Sequence, residues 1–280
     1  MKKMSKILCM LLCAAVLLSL AACGQAAAPA ASAKSDIKTV VPGKLTVATS
    51  PDFAPYEFYA VENGTPQLAG FDIELAKYVA DYLGLELDII PMDFDGVLNE
   101  LAAGGVDLGV AGLSPDPKRM ESMDFSEIYY QGGQSFVTVK ANADKFSSLE
   151  DTNKAEYSIG AQNGSIQMDL ANQYSPDADI VPLVKVTDII AELLGGKLDG
   201  AYIETAVAEN YAKSYPDLVV VLEVPYDTEG SAIGVVKDNE ALLAAVNEAV
   251  KAALADGSMD AFVAKANEQS TGEIIEGLLD

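Results

Sequence analysis

Arg119 is the residue of this chain whose chemistry is hardest to replace with another side chain. It is the only arginine among 18 basic residues, and it lies in the stretch GLSPDPKRMESMDFS. A solitary arginine is most often a surface or ion-pair residue. The alternative is a clamp for a carboxylate, because the planar guanidinium offers two parallel N–H donors and lysine does not. This stretch alone leaves both interpretations open.

Four predicted strands end at positions that could contact a ligand. The ends are Ser50, Gly112–Ser114, Gln162–Ser165 and Glu204. Ligands of open α/β sheets bind at the carboxyl ends of the strands. We therefore expect these positions to lie near any ligand of this chain.

Several kinds of chemistry are excluded by residues that the sequence lacks. It contains no histidine, which excludes Ser-His and Cys-His nucleophiles and histidine-based metal sites. Neither GxxxxGK[ST] nor GxGxxG occurs, so no nucleotide cofactor is expected. The acidic stretch PMDFDG (91–96) lacks the other oxygen ligands of a calcium loop, and we interpret it as a strand–helix junction with Asp95 capping the helix. The prediction is a chain without cofactor or metal.

The N-terminus has the pattern of an export signal. Residues 1–22 join a basic MKKMSK to an apolar core and end in LAA before Cys23. LAAC resembles the bacterial lipobox, which implies cleavage before Cys23 and lipidation of its thiol; ordinary cleavage with an incidental cysteine is the alternative. Residues 23–42 are rich in Ala, Pro and Ser, which is typical of a flexible tether. We expect a protein that the lipid holds on the extracytoplasmic face of the cell membrane.

The charge of the chain limits its partners. Removal of the signal deletes three lysines and no acid, which lowers the formal net charge from −24 to −27. Such a surface repels nucleic acid and anionic headgroups. No nucleic-acid partner is expected, and the membrane would be reached through the lipid.

Strands alternate with helices along the rest of the chain, which predicts an α/β fold. KLTVATS (44–50) reads as a strand, and FDIELAKYVADYLG (71–84) as an amphipathic helix that Gly84 ends. One pattern of helix, glycines, aspartate and strand occurs twice, in LNELAAGGVDLGVAG and in IAELLGGKLDGAYIE. The two copies are offset by 92 residues, so that Asp107 matches Asp199. This weak repeat favours two similar α/β lobes.

Six motifs follow one another along the chain: VATSPDFAPYEF, GFDIELAKYVA, PMDFDGVLNELAAGGVDLGVAG, RMESMDFSEIYY, IGAQNGSIQ and AIGVVKDN. In this order they resemble the extracellular solute-binding proteins of polar amino acid ABC transporters. The resemblance covers residues 43–270. It implies two α/β lobes with mixed, mostly parallel sheets joined by two hinge strands. Lobe one would comprise 43–130 and 229–280, and lobe two 131–228.

The resemblance also implies roles for individual residues around one bound amino acid. Arg119 would grip the α-carboxylate through two N–H···O bonds, with Gly112 and Ser114 as neighbouring contacts. Glu204 would receive the α-ammonium, although the family usually has the shorter Asp there and an exposed acid at a strand end is the alternative.

The remaining family positions concern the ligand's side chain and the second lobe. Phe53 and Phe94 match aromatic walls, with simple core residues as the alternative. Gln162, Ser165 and Ile166 match the loop of lobe two, whose N–H groups favour an anion. Ser50 stands where members selective for cationic amino acids often have Asp. A neutral or polar amino acid is therefore the expected ligand, because a buried cation needs a paired charge.

Asp116 and Pro117 depart from the family's usual Thr-Pro or Asp-Glu pattern before the arginine, so a hydroxyl donor to the carboxylate is missing.

The expected mechanism is closure of a monomer over the amino acid, followed by release to ABC permease subunits. Two alternatives share the fold. A cyclohexadienyl dehydratase-like enzyme would need a positioned acid or base, for which Glu204 is the obvious candidate. A ligand-sensing lobe would need further membrane spans or a partner.

Overall fold

The computed structural model describes residues 37–62, 64–227 and 230–270. The predicted signal 1–22, Cys23 and most of the predicted tether lie outside these residues, so the expectations for them stay predictions. Among the described residues, no helix is both long enough and apolar enough to cross a bilayer.

Strands and helices alternate along most of the described chain. The strands are β1 (Lys44–Thr49), β2 (Asp52–Phe53), β3 (Glu57–Glu62), β4 (Thr65–Ala69), β5 (Glu86–Pro91), β6 (Leu108–Gly109), β7 (Met123–Tyr130), β8 (Gln134–Val139), β9 (Ser158–Gln162), β10 (Asp179–Leu183), β11 (Gly200–Glu204), β12 (Leu218–Glu223) and β13 (Ser231–Val236). The helices are α1 (Phe71–Leu83), α2 (Phe94–Ala103), α3 (Ile166–Tyr174), α4 (Val186–Leu194), α5 (Thr205–Ser214), α6 (Glu240–Ala255) and α7 (Ser258–Gln269).

Two five-stranded sheets of the same design form the two lobes. Their strand orders are β5-β1-β6-β13-β7 and β10-β9-β11-β8-β12. In each sheet the first three strands are parallel, the fourth is antiparallel to both neighbours, and the fifth returns to the first direction. Mixed sheets in which most strands share one direction were predicted, and this fold class is confirmed.

The chain passes between the two sheets twice. The first passage, 131–133, joins β7 of the first sheet to β8 of the second, and the second passage, 224–230, joins β12 to β13. Each passage therefore connects two long strands through a short segment. Such a pair of connections leaves a cleft between the lobes, at the carboxyl ends of β1, β6, β9 and β11.

The predicted helix over 71–84 is α1. Its apolar positions Phe71, Leu75, Val79 and Leu83 are all buried, as an i, i+4 pattern requires. Gly84 follows with φ 72°, and its N–H donates to the carbonyls of Ala80 and Asp81. Only glycine adopts this left-handed conformation without a steric cost, so the helix ends where the sequence predicted.

The sequence repeat corresponds to a structural repeat. Asp107, which precedes β6, accepts hydrogen bonds from Thr46 N and Thr46 Oγ1 in β1 at 2.8 and 2.6 Å. Asp199, which precedes β11, likewise accepts from Ser158 N at the start of β9 at 3.1 Å. Each aspartate thus ties the middle strand of its sheet to the neighbouring parallel strand.

The predicted cap at Asp95 is wrong. The N-cap of α2 is Asp93, whose side chain makes no capping hydrogen bond, and Asp95 lies in the first turn of the helix. The Asp95 carboxylate instead accepts a hydrogen bond from the side-chain amide of Asn163 in the second lobe. The local pattern could not reveal this, because the partner lies 68 residues away.

Candidate functional site

One cavity lies in the cleft, and both lobes contribute to its wall. Eight of the ten predicted site residues line it: Phe53, Phe94, Gly112, Ser114, Arg119, Gln162, Ile166 and Glu204. They come from the ends of strands and the beginnings of helices, which is where small ligands bind in α/β folds.

The other two predicted residues, Ser50 and Ser165, are buried beside the cavity and do not line it. Ser50 Oγ donates to Asp52 Oδ1 at 3.0 Å. Ser165 is the N-cap of α3: its Oγ accepts from Met168 N at 3.1 Å and donates to Gln162 O at 2.7 Å. The Ser165 hydroxyl therefore organises the wall residue Gln162, whereas the Ser50 hydroxyl contacts Asp52, which lies behind the wall.

Arg119 begins a short 3-10 turn and extends its guanidinium across the cleft. Its Nη1 donates to Ser114 O of its own lobe, and Nη2 donates to Gly164 O of the other lobe, both at 3.2 Å. The guanidinium carbon lies 5.5 Å from the ring centre of Phe94, within the range of a cation–π contact. A buried pocket wall therefore carries one fixed cation that contacts both lobes.

The surroundings of Arg119 affect its pKa in two ways. Burial lowers the pKa of the guanidinium, and the carboxylates of Asp116 and Asp169 oppose this effect. Asp116 Oδ1 also accepts a hydrogen bond from Lys118 N at 2.8 Å, which fixes the turn before the arginine. The departure from the family pattern at Asp116 thus supports the charge of Arg119.

Glu204 is the carboxylate on the cavity wall. It ends β11 and is the N-cap of α5: its Oε2 accepts from Val207 N at 2.9 Å, and Oε1 accepts from Gly133 N at 3.3 Å. The side chain is only 4% exposed. Burial raises the pKa of Glu204 to about 7 in spite of these hydrogen bonds. The group is therefore poised to ionise when a cation enters the cavity.

The first passage between the lobes approaches Glu204 closely. A Cβ atom at Gly132 would lie 2.8 Å from Glu204 Oε1 and 2.9 Å from the Tyr56 hydroxyl. Any larger residue would displace one of these groups. Gly132 therefore permits the carboxylate, the aromatic hydroxyl and the connecting chain to share the same corner of the cavity.

Aromatic rings form the wall contributed by lobe one. Phe53 and Tyr56 lie 5.2 Å apart between ring centres, and Tyr56 packs on Phe71 at 4.3 Å. Phe94 is largely buried at the start of α2 and faces the same cavity. These rings offer apolar faces to the carbon chain of a ligand.

Three glutamine amides lie on the wall, and only that of Gln162 was predicted from the sequence. Gln167 Nε2 donates to Gln134 Oε1 at 2.7 Å, and both residues line the cavity. Gln134 begins β8 directly after the first passage, and Gln167 follows Ile166 in α3. Their adjacency to predicted residues was the available signal, but their mutual contact depends on the packing of α3 on β8.

Five further wall residues were not predicted as ligand contacts: Tyr56, Ala111, Gly132, Tyr226 and Ser231. Tyr56 and Ala111 belong to quoted motifs, and the other three lie in or beside the two passages. Among the described residues, no cluster of His, Cys, Asp or Glu side chains could hold a metal ion. The wall is thus built from one cation, one carboxyl group, amides and aromatic rings.

Gly112 is held in place from behind by Asp72. Asp72 Oδ2 accepts from Gly112 N at 2.8 Å, and the carboxyl group is completely buried at the start of α1. Burial raises the pKa of Asp72 to about 6 and that of the neighbouring Glu57 well above its ordinary value. The acid in the GFDIE motif therefore positions the cavity wall without lining it.

Comparison with known proteins relates this architecture to one family. Residues 45–269 match the bacterial extracellular solute-binding proteins, family 3. The arginine-binding extracellular protein ArtP of Bacillus subtilis is 33% identical over 261 residues, which cover 92% of this chain and 96% of ArtP.

A solved structure has the same fold. The amino acid ABC transporter substrate-binding protein AbpA of Streptococcus pneumoniae, bound to L-arginine, superposes with a TM-score of 0.78 at 34% identity. The alignment covers 82% of this chain and 96% of AbpA.

A cyclohexadienyl dehydratase of Pseudomonas aeruginosa is a more distant relative, 25% identical over 66% of this chain and 68% of the enzyme. The chain is a solute-binding protein rather than an enzyme, and it belongs to the bacterial extracellular solute-binding proteins of family 3.

Proposed function

We propose that the protein captures an amino acid between its lobes and delivers it to an ABC permease. The observation that carries this proposal is the pairing of Arg119 from lobe one with Glu204 from lobe two on one cavity wall. A free amino acid carries a carboxylate and an ammonium on the same carbon, and the two wall groups complement both charges. Each charge of the ligand is then matched by a different lobe.

Closure follows from this division of contacts. An amino acid held by both Arg119 and Glu204 interacts fully only when the lobes are together, so its binding shifts the protein towards the closed form. The contact of Arg119 Nη2 with Gly164 O also crosses the cleft. Release to the transporter would then require the permease to favour the open form.

We assign the ligand's side chain from the hydrogen bonds of Gln162. Its Nε2 donates to Asp52 Oδ2 at 3.3 Å and to Val184 O at 3.1 Å. Both partners are acceptors, so the two amide hydrogens are used and the amide oxygen is left to accept. Because Gln162 lines the cavity, this oxygen would bind a side chain that ends in N–H donors.

L-arginine is the first candidate ligand. Its guanidinium offers several N–H donors, its carbon chain would pack against the rings of Phe53 and Phe94 on the wall, and the relatives ArtP and AbpA bind arginine. A neutral polar amino acid is the second candidate. Glu204 is the one carboxylate on the described wall, and since we assign it to the α-ammonium, no wall carboxylate is left to pair with a cationic side chain. Glutamine offers one N–H₂ group and no charge, so it is the natural comparison.

We further propose that lipid attached at Cys23 holds the protein at the outer face of the cell membrane. The lipobox-like LAAC and the export-signal pattern of 1–22 support this proposal. The protein would act as a monomer, with the permease subunits as its partners and the tether 23–42 giving it reach.

A calorimetric titration of the twenty amino acids into the purified protein at pH 8 tests the proposal. We expect one-to-one binding, tightest for L-arginine and weaker for L-glutamine. Tighter binding of L-glutamine would reverse the order of the two candidates. If none of the twenty binds, the proposed ligand class is wrong.

A further inference from the structure

Asp52 is a buried residue of lobe one whose contacts lie mainly in lobe two. It opens β2 and is 5% exposed, yet it does not line the cavity. Its Oδ2 accepts from Val186 N at 2.6 Å and from Gln162 Nε2 at 3.3 Å, and its backbone carbonyl accepts from the Tyr211 hydroxyl at 3.2 Å. Three groups of the second lobe therefore converge on one residue of the first.

The bond to Val186 replaces a missing helix cap. Val186 is the first residue of α4, and the preceding Lys185 supplies no capping side chain. The first N–H groups of a helix have no partner within the helix, and they attract negative charge. Asp52 thus caps a helix of the other lobe, and this cap exists only while the lobes are together.

The bond to Gln162 orients a residue of the cavity wall. Asp52 and Val184 O take both amide hydrogens of Gln162, and an ionised carboxylate accepts hydrogen bonds only. Burial raises the pKa of Asp52 to about 6, so the group is ionised at pH 8. Without Asp52 the amide could rotate and present its N–H₂ group to the cavity.

We propose that Asp52 is a positioning residue that stabilises the closed state and orients Gln162 without touching the ligand. This inference rests on the proposed function, because it concerns closure over an amino acid. Contacts that form only in the closed state lower its free energy relative to the open state. Asp52 therefore slows ligand release, and it favours ligands that donate to the oxygen of Gln162.

Asp52→Ala and Asp52→Asn test the proposal, with Asp107→Asn as the matched control. Asp107 is also a fully buried lobe-one aspartate, but its hydrogen bonds go to Thr46 and Val40 of the same lobe. For each variant we would measure the dissociation rate and Kd of L-arginine at pH 8, together with the thermal unfolding midpoint of the ligand-free protein. If the screen identifies a tighter amino acid, that amino acid replaces L-arginine.

We expect Asp52→Ala to weaken binding at least tenfold, mainly through faster dissociation, with a small change in the ligand-free unfolding midpoint. Asp52→Asn retains one acceptor oxygen and should fall between Asp52→Ala and wild type. Asp107→Asn should lower the unfolding midpoint and leave Kd within twofold. Unchanged affinity in Asp52→Ala, or an equal loss in Asp107→Asn, overturns the proposal. Failure of the wild-type protein to bind any amino acid would instead overturn the proposed function.

Discussion

The affinity for an amino acid should depend on pH through Glu204. The carboxyl group is almost completely buried, and burial raises its pKa to about 7. A ligand ammonium next to the carboxylate favours the ionised form, so binding lowers this pKa and releases a proton. Binding is therefore strongest above pH 7 and is lost progressively as the pH falls through 7.

The size of the effect follows from the pKa. A group with a pKa of about 7 is roughly 90% ionised at pH 8 and roughly 10% ionised at pH 6. If only the ionised form accepts the ammonium, the apparent affinity at pH 6 is about tenfold lower than at pH 8. The α-carboxylate of the ligand and Arg119 keep their charges over this range, so neither adds to the slope.

Calorimetry of L-arginine binding between pH 6 and 8 measures both quantities. Titrations in two buffers with different ionisation enthalpies count the released protons, and we expect close to one at pH 6. Glu204→Gln is the control: its amide oxygen can still accept from Val207 N and cap α5, but binding should be weak and should lose most of its pH dependence, with Asp52, whose pKa is about 6, as the source of what remains. An equal affinity of the wild-type protein at pH 6 and pH 8, or the same slope in Glu204→Gln, would refute the reasoning.

Three further predictions concern other residues. Arg119→Lys should weaken amino acid binding at least tenfold in calorimetry, because a bidentate charged contact contributes roughly 1.5–3 kcal/mol. Lys118→Ala, at the neighbouring exposed residue, should change the affinity less than twofold. Equal effects of the two substitutions would contradict the role of Arg119 as a carboxylate clamp. Glu204→Gln should raise the free energy of unfolding of the ligand-free protein at pH 8 by an amount of order 2 kcal/mol. The raised pKa of the Glu204 carboxyl group stabilises the fold below pH 4.5, and this contribution is lost as the pH rises through about 7. A variant that is less stable than wild type in urea denaturation would argue against this. Cys23→Ala should move the protein from the membrane fraction to the soluble or secreted fraction, and an unchanged distribution on fractionation would count against lipidation.

Local patterns were sufficient to predict the parts of the fold that depend on local physics. The periodicity of 71–84 and Gly84 predicted α1 and its end, because an amphipathic face and a left-handed cap are both local requirements. The repeated Asp107 and Asp199 predicted two similar lobes, and the structure gives both the same role. The three-stranded antiparallel sheet of β2, β3 and β4 was not predicted, since β2 is only two residues long and shows no strand pattern of its own.

The site was predictable where charge and the family motifs agree. Glu204 could be identified at the end of a strand, and Arg119 as the single arginine within one of the motifs. Gln134 and Tyr226 could not, because each reaches the cavity only through the passages between the lobes. Asp95 and Asp52 show the same limit: each is bound to a residue of the other lobe, 68 and 134 residues away. Contacts that cross the cleft depend on how the two lobes pack together, and no local pattern encodes that packing.

A crystal structure of the complex with the amino acid that binds most tightly tests the central claim most directly. We predict that the ligand lies in the cleft between the lobes, with its α-carboxylate about 3 Å from the guanidinium nitrogens of Arg119 and its α-ammonium about 3 Å from the Glu204 carboxylate. Its side chain should lie between Phe53 and Phe94. A ligand bound outside this cleft, or one whose α-carboxylate is bound by groups other than Arg119, would contradict the account.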